Sequence, residues 1–257
     1  MNILVIGDIV GRPGRHAVKE LLPGLISELK LDWIIANGEN AAGGFGLTLD
    51  TAEELFAAGC NTLTSGNHIW THKSFIQHLD SDMPVIRPLN YPDGVPGRGY
   101  IIRSGIMVVN LIGRTFMNSL DCPFRAIDAL LEATKDERPP VIIIDFHAEA
   151  TSEKMAMGWY LNGRVSAVLG THTHVGTVDT RVLPKGTAYV SDIGMTGPMD
   201  TVIGDKKEAV INRFLYGLPH HLSVGNGRVL FSAVMVKISP ETGQALQIER
   251  IDRTLEE

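Results

Sequence analysis

Five apolar runs in this chain each end in side chains that bind metals or move protons. Asp8 follows ILVIG, Glu39 and Asn40 follow WIIANG, and Asn67 and His68 follow NTLTSG. His147 follows VIIIDF, and His172 and His174 follow VSAVLG within VSAVLGTHTHVG. The set offers two carboxylates, two amides and four imidazoles, with no thiolate. Imidazole mixed with carboxylate and amide oxygen suits borderline divalent ions such as Fe, Mn or Zn better than Ca or a cysteine-based zinc site. A carboxylate can bridge two ions, and two ions about 3.5–4 Å apart clamp an in-line displacement at phosphorus. Two such ions, less two carboxylates and one hydroxide, leave a charge of about +1, which attracts a phosphodiester monoanion even in an acidic protein.

Each residue taken singly has an ordinary explanation. Asp8 alone reads as a turn or helix cap, and Asn67 alone as a turn residue. A lone His147 is more often a satisfied core histidine than a ligand. The joint pattern outweighs these readings, and a His-x-His pair in an extended segment puts both side chains on one face. Asp145 and Glu149 flank His147 and are candidates for orienting ligand imidazoles, with a structural hydrogen bond as the alternative for Asp145. Thr171 and Thr173 are expected to point away from the metals. His16, His72 and His78 fall on predicted helices as surface or packing residues. The run GGFG (43–46) fits neither the P-loop nor the dinucleotide spacing and reads as a flexible loop.

The elements that must position these residues alternate between strand and helix, which predicts a largely α/β fold. Strands are expected at 2–7, 32–37, 61–66, 140–146 and 165–169, with a hairpin over 99–113 turning at Ser104-Gly105. If the strands are parallel neighbours, their carboxyl ends converge on one crevice, where α/β sheets bind ligands. Helices are expected over 11–29, interrupted or kinked at Pro23-Gly24, and over 51–59, capped by Asp50. Further helices fall at 71–79, 124–134 and 152–163. Residues 84–99, rich in Pro and Gly, read as a surface excursion. The tail carries short strands at 180–183, 187–191, 229–238 and 245–251. Residues 195–228 have no clear pattern and read as a loop-rich insertion or an oligomer surface. No linker or repeat appears, so residues 1–257 are read as one domain.

Composition excludes several classes. The 257-residue chain is 44% hydrophobic, enough for a sizeable core, and its formal charge of −6 comes with no basic stripe for a nucleic acid. No apolar run approaches the roughly 18 residues that span a membrane, and no signal pattern is seen. Cys60 and Cys122 form no CxxC pair and read as reduced thiols of a cytoplasmic protein.

The motifs "GD" after the first strand, "GNH", a later lone His and "GTHTH" resemble the calcineurin-like metallophosphoesterases, whose motifs are GDxH, GD, GNH, H and GHxH. Val10 stands where the first motif has its His, and "GEN" replaces a bridging Asp with Glu39. These departures, with "NAAGGFG", "HAEATSEKMAMGW" and "GTHTHVGT", resemble the YmdB-like branch of that superfamily over nearly the whole chain. The resemblance implies a four-layer α-β-β-α sandwich. It implies one metal on Asp8, Glu39, Asn40 and His174, and another on Glu39, Asn67, His147 and His172, bridged by Glu39. It implies iron, with manganese as a substitute, and His68 as proton donor to the leaving oxygen. The implied activity is hydrolysis of cyclic nucleotides, 2′,3′-cyclic and also 3′,5′-cyclic, by a metal-bridging hydroxide. The expected partner is therefore a small phosphodiester, with self-association into a homo-oligomer. A nucleotide-sensing regulatory protein using the same pocket is the competing reading, and a metal-free Rossmann-like binder the weakest.

Overall fold

The computed structural model describes residues 1–256. Along the chain run β1 (Asn2–Ile6), β2 (Asp8–Ile9), α1 (Gly11–Leu29), β3 (Trp33–Asn37), α2 (Leu49–Ala57), β4 (Thr62–Thr64) and α3 (Lys73–Ile76). They are followed by β5 (Tyr100–Arg103), β6 (Ile106–Ile112), α4 (Pro123–Ala133), β7 (Val141–His147), α5 (Thr151–Tyr160) and β8 (Ala167–Thr171). The last third holds β9 (Arg181–Val182), β10 (Ala188–Val190), β11 (Met195–Pro198), α6 (Lys207–Tyr216), β12 (Val229–Ile238) and β13 (Ala245–Leu255). The fold is mixed α/β with two sheets. One has the order β2-β11-β12-β1-β3-β4, with β13 on β12; the other has the order β5-β6-β7-β8-β10-β9.

The functional strands are thus split rather than neighbours in one sheet. β1, β3 and β4 are parallel in the first sheet, and β6, β7 and β8 are parallel in the second. The period-two alternation of strands explains how the sheets meet. Ile3, Val5 and Ile35 from one sheet share a buried cluster with Val108, Ile143 and Leu169 from the other. The opposite faces are covered by helices. Leu4, Ile6 and Ile34 pack with Val18 and Leu22 of α1 and Leu55 of α2. Ile142, Ile144 and Phe146 pack with Ile127 and Leu131 of α4 and Met157 of α5.

Several local expectations are corrected. Helix α1 runs through Pro23 without a break. Pro23 is exposed while Leu22 and Leu25 beside it are buried; two such burials, about 1.5–3 kcal/mol each, outweigh the roughly 3 kcal/mol cost of an interior proline. Helix α2 is capped by Thr48, whose side chain and that of Thr51 form a reciprocal capping box; Asp50 lies in the first turn. The predicted helix 71–79 shortens to α3, with His72 as its N-cap residue. The stretch 84–99 is not a surface excursion throughout, because Val85, Ile86, Arg87 and Asn90 are buried. Val85 bridges to Leu63 of β4, and the Asn90 side chain pairs with the Ile112 backbone. Residues 195–228 contain β11 and α6 rather than loop alone. The hairpin forms as predicted, with Ser104 and Gly105 both at positive φ.

Candidate metal centre

The same alternation that builds the inter-sheet core delivers polar groups to its end. On β7, Val141 and Ile143 face the other sheet, and two and four residues later Asp145 and His147 continue that face. Asn37 ends β3, Thr64 ends β4 and Thr171 ends β8. These side chains join in one buried network. Asp145 accepts hydrogen bonds from Asn37 Nδ2 at 3.0 Å, from Thr171 Oγ1 at 2.7 Å and from the Thr64 hydroxyl. Burial raises the Asp145 pKa, and these donors and His147 work against the rise. Thr171 Oγ1 also lies 3.0 Å from His147 Nδ1. With its own proton on Asp145, Thr171 accepts from Nδ1 and turns Nε2 of His147 toward the crevice. Thr171 therefore bonds the far side of a candidate ligand, a role its sequence position did not suggest. Asp145 itself bonds Asn37, Thr64 and Thr171 and reaches His147 only through Thr171, the structural hydrogen-bonding alternative for this residue.

Above this layer the strand-end residues fall into two groups. His147 Nε2 lies 3.1 Å from Glu39 Oε1, 3.2 Å from Asn67 Oδ1 and 3.0 Å from His172 Nδ1. Ligand atoms of Glu39, His147 and His172 all lie within 4.8 Å of one another. Gly66 leaves room for this convergence, since a Cβ there would sit 2.1 Å from Glu39 Oε2 and 2.3 Å from His147 Nε2. The second group is looser. His174 Nε2 lies 3.1 Å from Asn40 Nδ2 and 4.0 Å from Asp8 Oδ1. Asn40 Nδ2 also faces Glu39 Oε1 at 3.3 Å, and its Oδ1 faces His68 Nδ1 at 2.8 Å. His68 Nδ1 is 3.5 Å from Glu39 Oε1.

The histidine pair is not on an extended segment. His172 and His174 follow the end of β8 in a turn, with φ of 99° and 65°. This strained backbone sends the two rings to different groups, and other atoms fix each ring. Glu149 Oε2 holds His172 Nε2 at 3.1 Å, leaving Nδ1 toward His147. The Ile203 carbonyl holds His174 Nδ1 at 2.8 Å, leaving Nε2 toward Asn40. Thr173 points away, as expected, to Asp192 Oδ2 at 2.7 Å. The same carboxylate is paired with buried Lys154 at 2.7 Å. Neither Lys154 nor Asp192 stood out in the sequence, because Lys154 lies mid-helix and Asp192 in a loop.

Electrostatics mark the cluster as unusual. Asp8 is fully buried, and its Oδ1 has no hydrogen-bond partner among the described residues. Burial raises its pKa from 3.8 to about 6, against the pull of His174 and His147. Glu39 is equally buried, yet His147, His68 and His172 overcome that burial and hold it at about 2. His147 is raised to about 9 despite burial, by Glu39, Asp8 and Asp145. His172 drops to about 3 through burial and repulsion from His147. Burial also lowers His68. An unpartnered buried carboxylate oxygen and a carboxylate–imidazole cluster that attracts a positive charge fit a cation.

A cavity of about 320 Å³ opens at these groups, lined by Glu39, Asn40, His68, His172 and His174 together with Phe45, Ile203 and Leu222. Part of the unpatterned 195–228 segment therefore walls the site. A larger cavity of about 690 Å³, around Tyr91, Arg114 and Arg125, contains none of the strand-end residues.

These features define a mixed α/β protein with a candidate metal crevice where two sheets end. The chain belongs to the YmdB-like protein family, whose model matches residues 4–251. It is 50% identical, over 98% of its length and 96% of the relative's, to a Bacillus subtilis (strain 168) protein named 2′,3′-cyclic-nucleotide 2′-phosphodiesterase. Among solved structures it resembles a hypothetical protein from Thermus thermophilus, at 44% identity and TM-score 0.92, covering 99% of both chains. It also resembles a novel phosphatase from Mycoplasma pneumoniae, at 32% identity and TM-score 0.93, covering 100% of this chain and 94% of that one.

Proposed function

We propose that the chain is a metal-dependent phosphoric diester hydrolase acting on cyclic nucleotides, 2′,3′-cyclic nucleotides foremost and 3′,5′-cyclic nucleotides second. The observation that carries this reading is the convergence of Glu39, His147 and His172 beside the unpartnered Asp8 oxygen. The names of the Bacillus subtilis phosphodiesterase and the Mycoplasma pneumoniae phosphatase support the same chemistry. In this reading Asp8, Glu39, Asn40 and His174 hold one divalent ion. Glu39, Asn67, His147 and His172 hold a second, with Glu39 shared. Iron is the proposed metal, with manganese able to replace it. Such ions, when bound, would lower the pKa of a water and neutralise charge developing on the phosphoryl oxygens.

The chain's own residues do the rest. Glu149, Thr171 and the Ile203 carbonyl fix which nitrogen each imidazole presents. Asn40 serves through its oxygen after a half-turn of its amide, which exchanges Oδ1 and Nδ2 without moving the side chain. That half-turn points Nδ2 at His68 Nδ1 and keeps the His68 proton on Nε2. His68 borders the cavity and delivers that proton to the departing ribose oxygen.

The larger-scale expectations enter here as proposals. The three stacked cores are read as the four-layer α-β-β-α sandwich of a single domain. Self-association is assigned to the exposed Ile211, Phe214, Leu215 and Tyr216 of α6; Phe214→Asp with Leu215→Asp is expected to yield monomer by light scattering. A reducing, cytoplasmic setting is supported by the unpaired Cys60 and Cys122.

The deciding experiment couples metal quantification of the purified protein to a screen of 2′,3′-cyclic nucleotides, 3′,5′-cyclic nucleotides and simple phosphodiesters. Two metal equivalents per chain and release of a nucleoside monophosphate are expected. Tight nucleotide binding without metal-dependent turnover would instead identify a nucleotide sensor.

A further inference from the structure

The cavity has a feature that phosphate chemistry does not use. Beside its polar groups, Asp205 among them, its lining carries Val10, Phe45, Ile203 and Leu222. Phe45 is 39% exposed and belongs to none of the three cores. Its ring meets the His68 ring edge-on, with centroids 5.1 Å apart and planes at 75°.

The loop that carries Phe45 is built to hold it there. Residues 41–46 leave directly from Glu39 and Asn40, and Gly43, Gly44 and Gly46 all take positive φ. Gly44 N–H donates to the Asn40 carbonyl at 3.2 Å, and Phe45 N–H to the Ala42 carbonyl at 3.3 Å. His72 Nε2 donates to the Phe45 carbonyl at 2.9 Å. A Cβ on Gly46 would lie 2.9 Å from the His72 ring and 3.1 Å from the His68 carbonyl, so the loop lies directly on the 68–72 segment. The GGFG run is therefore a pinned turn that displays one aromatic ring, not the flexible loop expected from its composition.

We propose that Phe45 is the stacking platform for the nucleobase of the substrate. The inference rests on the cyclic-nucleotide reading of the site. A phosphodiester and ribose hydroxyls need only the polar part of the lining. The apolar part matches a flat heterocycle attached to that ribose. A volume of about 320 Å³ lies at the lower end of small-molecule sites, about 300–1,000 Å³. Aromatic stacking tolerates every base because each has a π-face. Phe45 thus gives preference for nucleotides over other phosphodiesters, with purines held more tightly than pyrimidines.

The test titrates the purified protein with adenosine 3′-monophosphate and, separately, with inorganic phosphate. Phe45→Leu keeps an apolar side chain without a π-face; Phe45→Trp keeps the face. Phe45→Leu is expected to weaken nucleotide binding roughly ten- to a hundredfold, while phosphate binding moves less than threefold. Phe45→Trp is expected to hold nucleotide affinity within threefold of the native protein. KM for the 2′,3′-cyclic nucleotide should rise with the loss of nucleotide binding. Equal loss of both ligands in Phe45→Leu would show that Phe45 acts only by supporting His68 and would overturn the proposal. Undiminished nucleotide binding in Phe45→Leu would do the same. Failure of the phosphodiesterase reading looks different: turnover is absent while Phe45 still separates nucleotide from phosphate binding.

Discussion

At the residue scale, burial and charge decide more than residue type. Asp8 is a buried carboxylate with one oxygen that has no hydrogen bond among the described residues, so it costs the metal-free fold stability. Its folded pKa of about 6 exceeds its ordinary 3.8. Between those values the folded chain keeps a proton that the unfolded chain has lost. Stability of metal-free protein therefore falls as pH rises through this window, by up to about 3 kcal/mol. Metal-free Asp8→Asn should accordingly be more stable than metal-free native protein at pH 7.5, and equal to it at about pH 3, below both values. Urea denaturation after chelation checks this; a less stable Asp8→Asn at pH 7.5 would refute it. Turnover of the same variant should collapse. His68 makes a different prediction, because it is proposed to move a proton rather than hold a metal. His68→Ala should lower kcat by about 10²–10⁴ with metal content unchanged. Loss of metal along with activity would reassign it as a structural residue.

At the element scale, the turn after β8 is the critical piece. Its histidines sit at positive φ and need external restraint. Asp192 supplies much of it, accepting from Thr173 N at 3.1 Å and from Gly194 N at 2.7 Å while paired to Lys154 of α5. Lys154 and Asp192 are both buried. Lys154→Met leaves the carboxylate uncompensated and should cost roughly 3–5 kcal/mol, measured by urea denaturation. Adding Asp192→Asn should recover part of that loss, because the pair is coupled; strictly additive losses would sink the assignment. Much of the strand and helix order was legible from apolar periodicity. The polar layer beneath the crevice was not. Asn37, Thr64 and Thr171 look like ordinary strand residues until two sheets put them around Asp145. Pro23 misled for a related reason: the buried face of α1, invisible in local propensity, overrides the break.

At the scale of the whole molecule, an acidic chain of formal charge −6 gathers its buried carboxylates where cations would compensate them. Removing bound metal with a chelator should abolish turnover and lower Tm, and adding iron or manganese should restore both. A metal at a hundred times its Kd contributes about 2.7 kcal/mol, or about 5–10 °C in a protein of this size. An unchanged Tm on chelation would count against a metal site. The sequence by itself determined the chemical inventory and the strand ends that carry it, because apolar runs followed by Asp, Glu, Asn and His are local patterns. It also carried the family, since the motifs are contiguous strings. Only the tertiary structure decided the grouping. It split the strands whose ends carry the candidate ligands between two sheets, and set Thr171, Lys154 and Phe45 around them. Those arrangements depend on contacts between residues far apart in the chain, and periodicity within one segment holds no information about its distant neighbours.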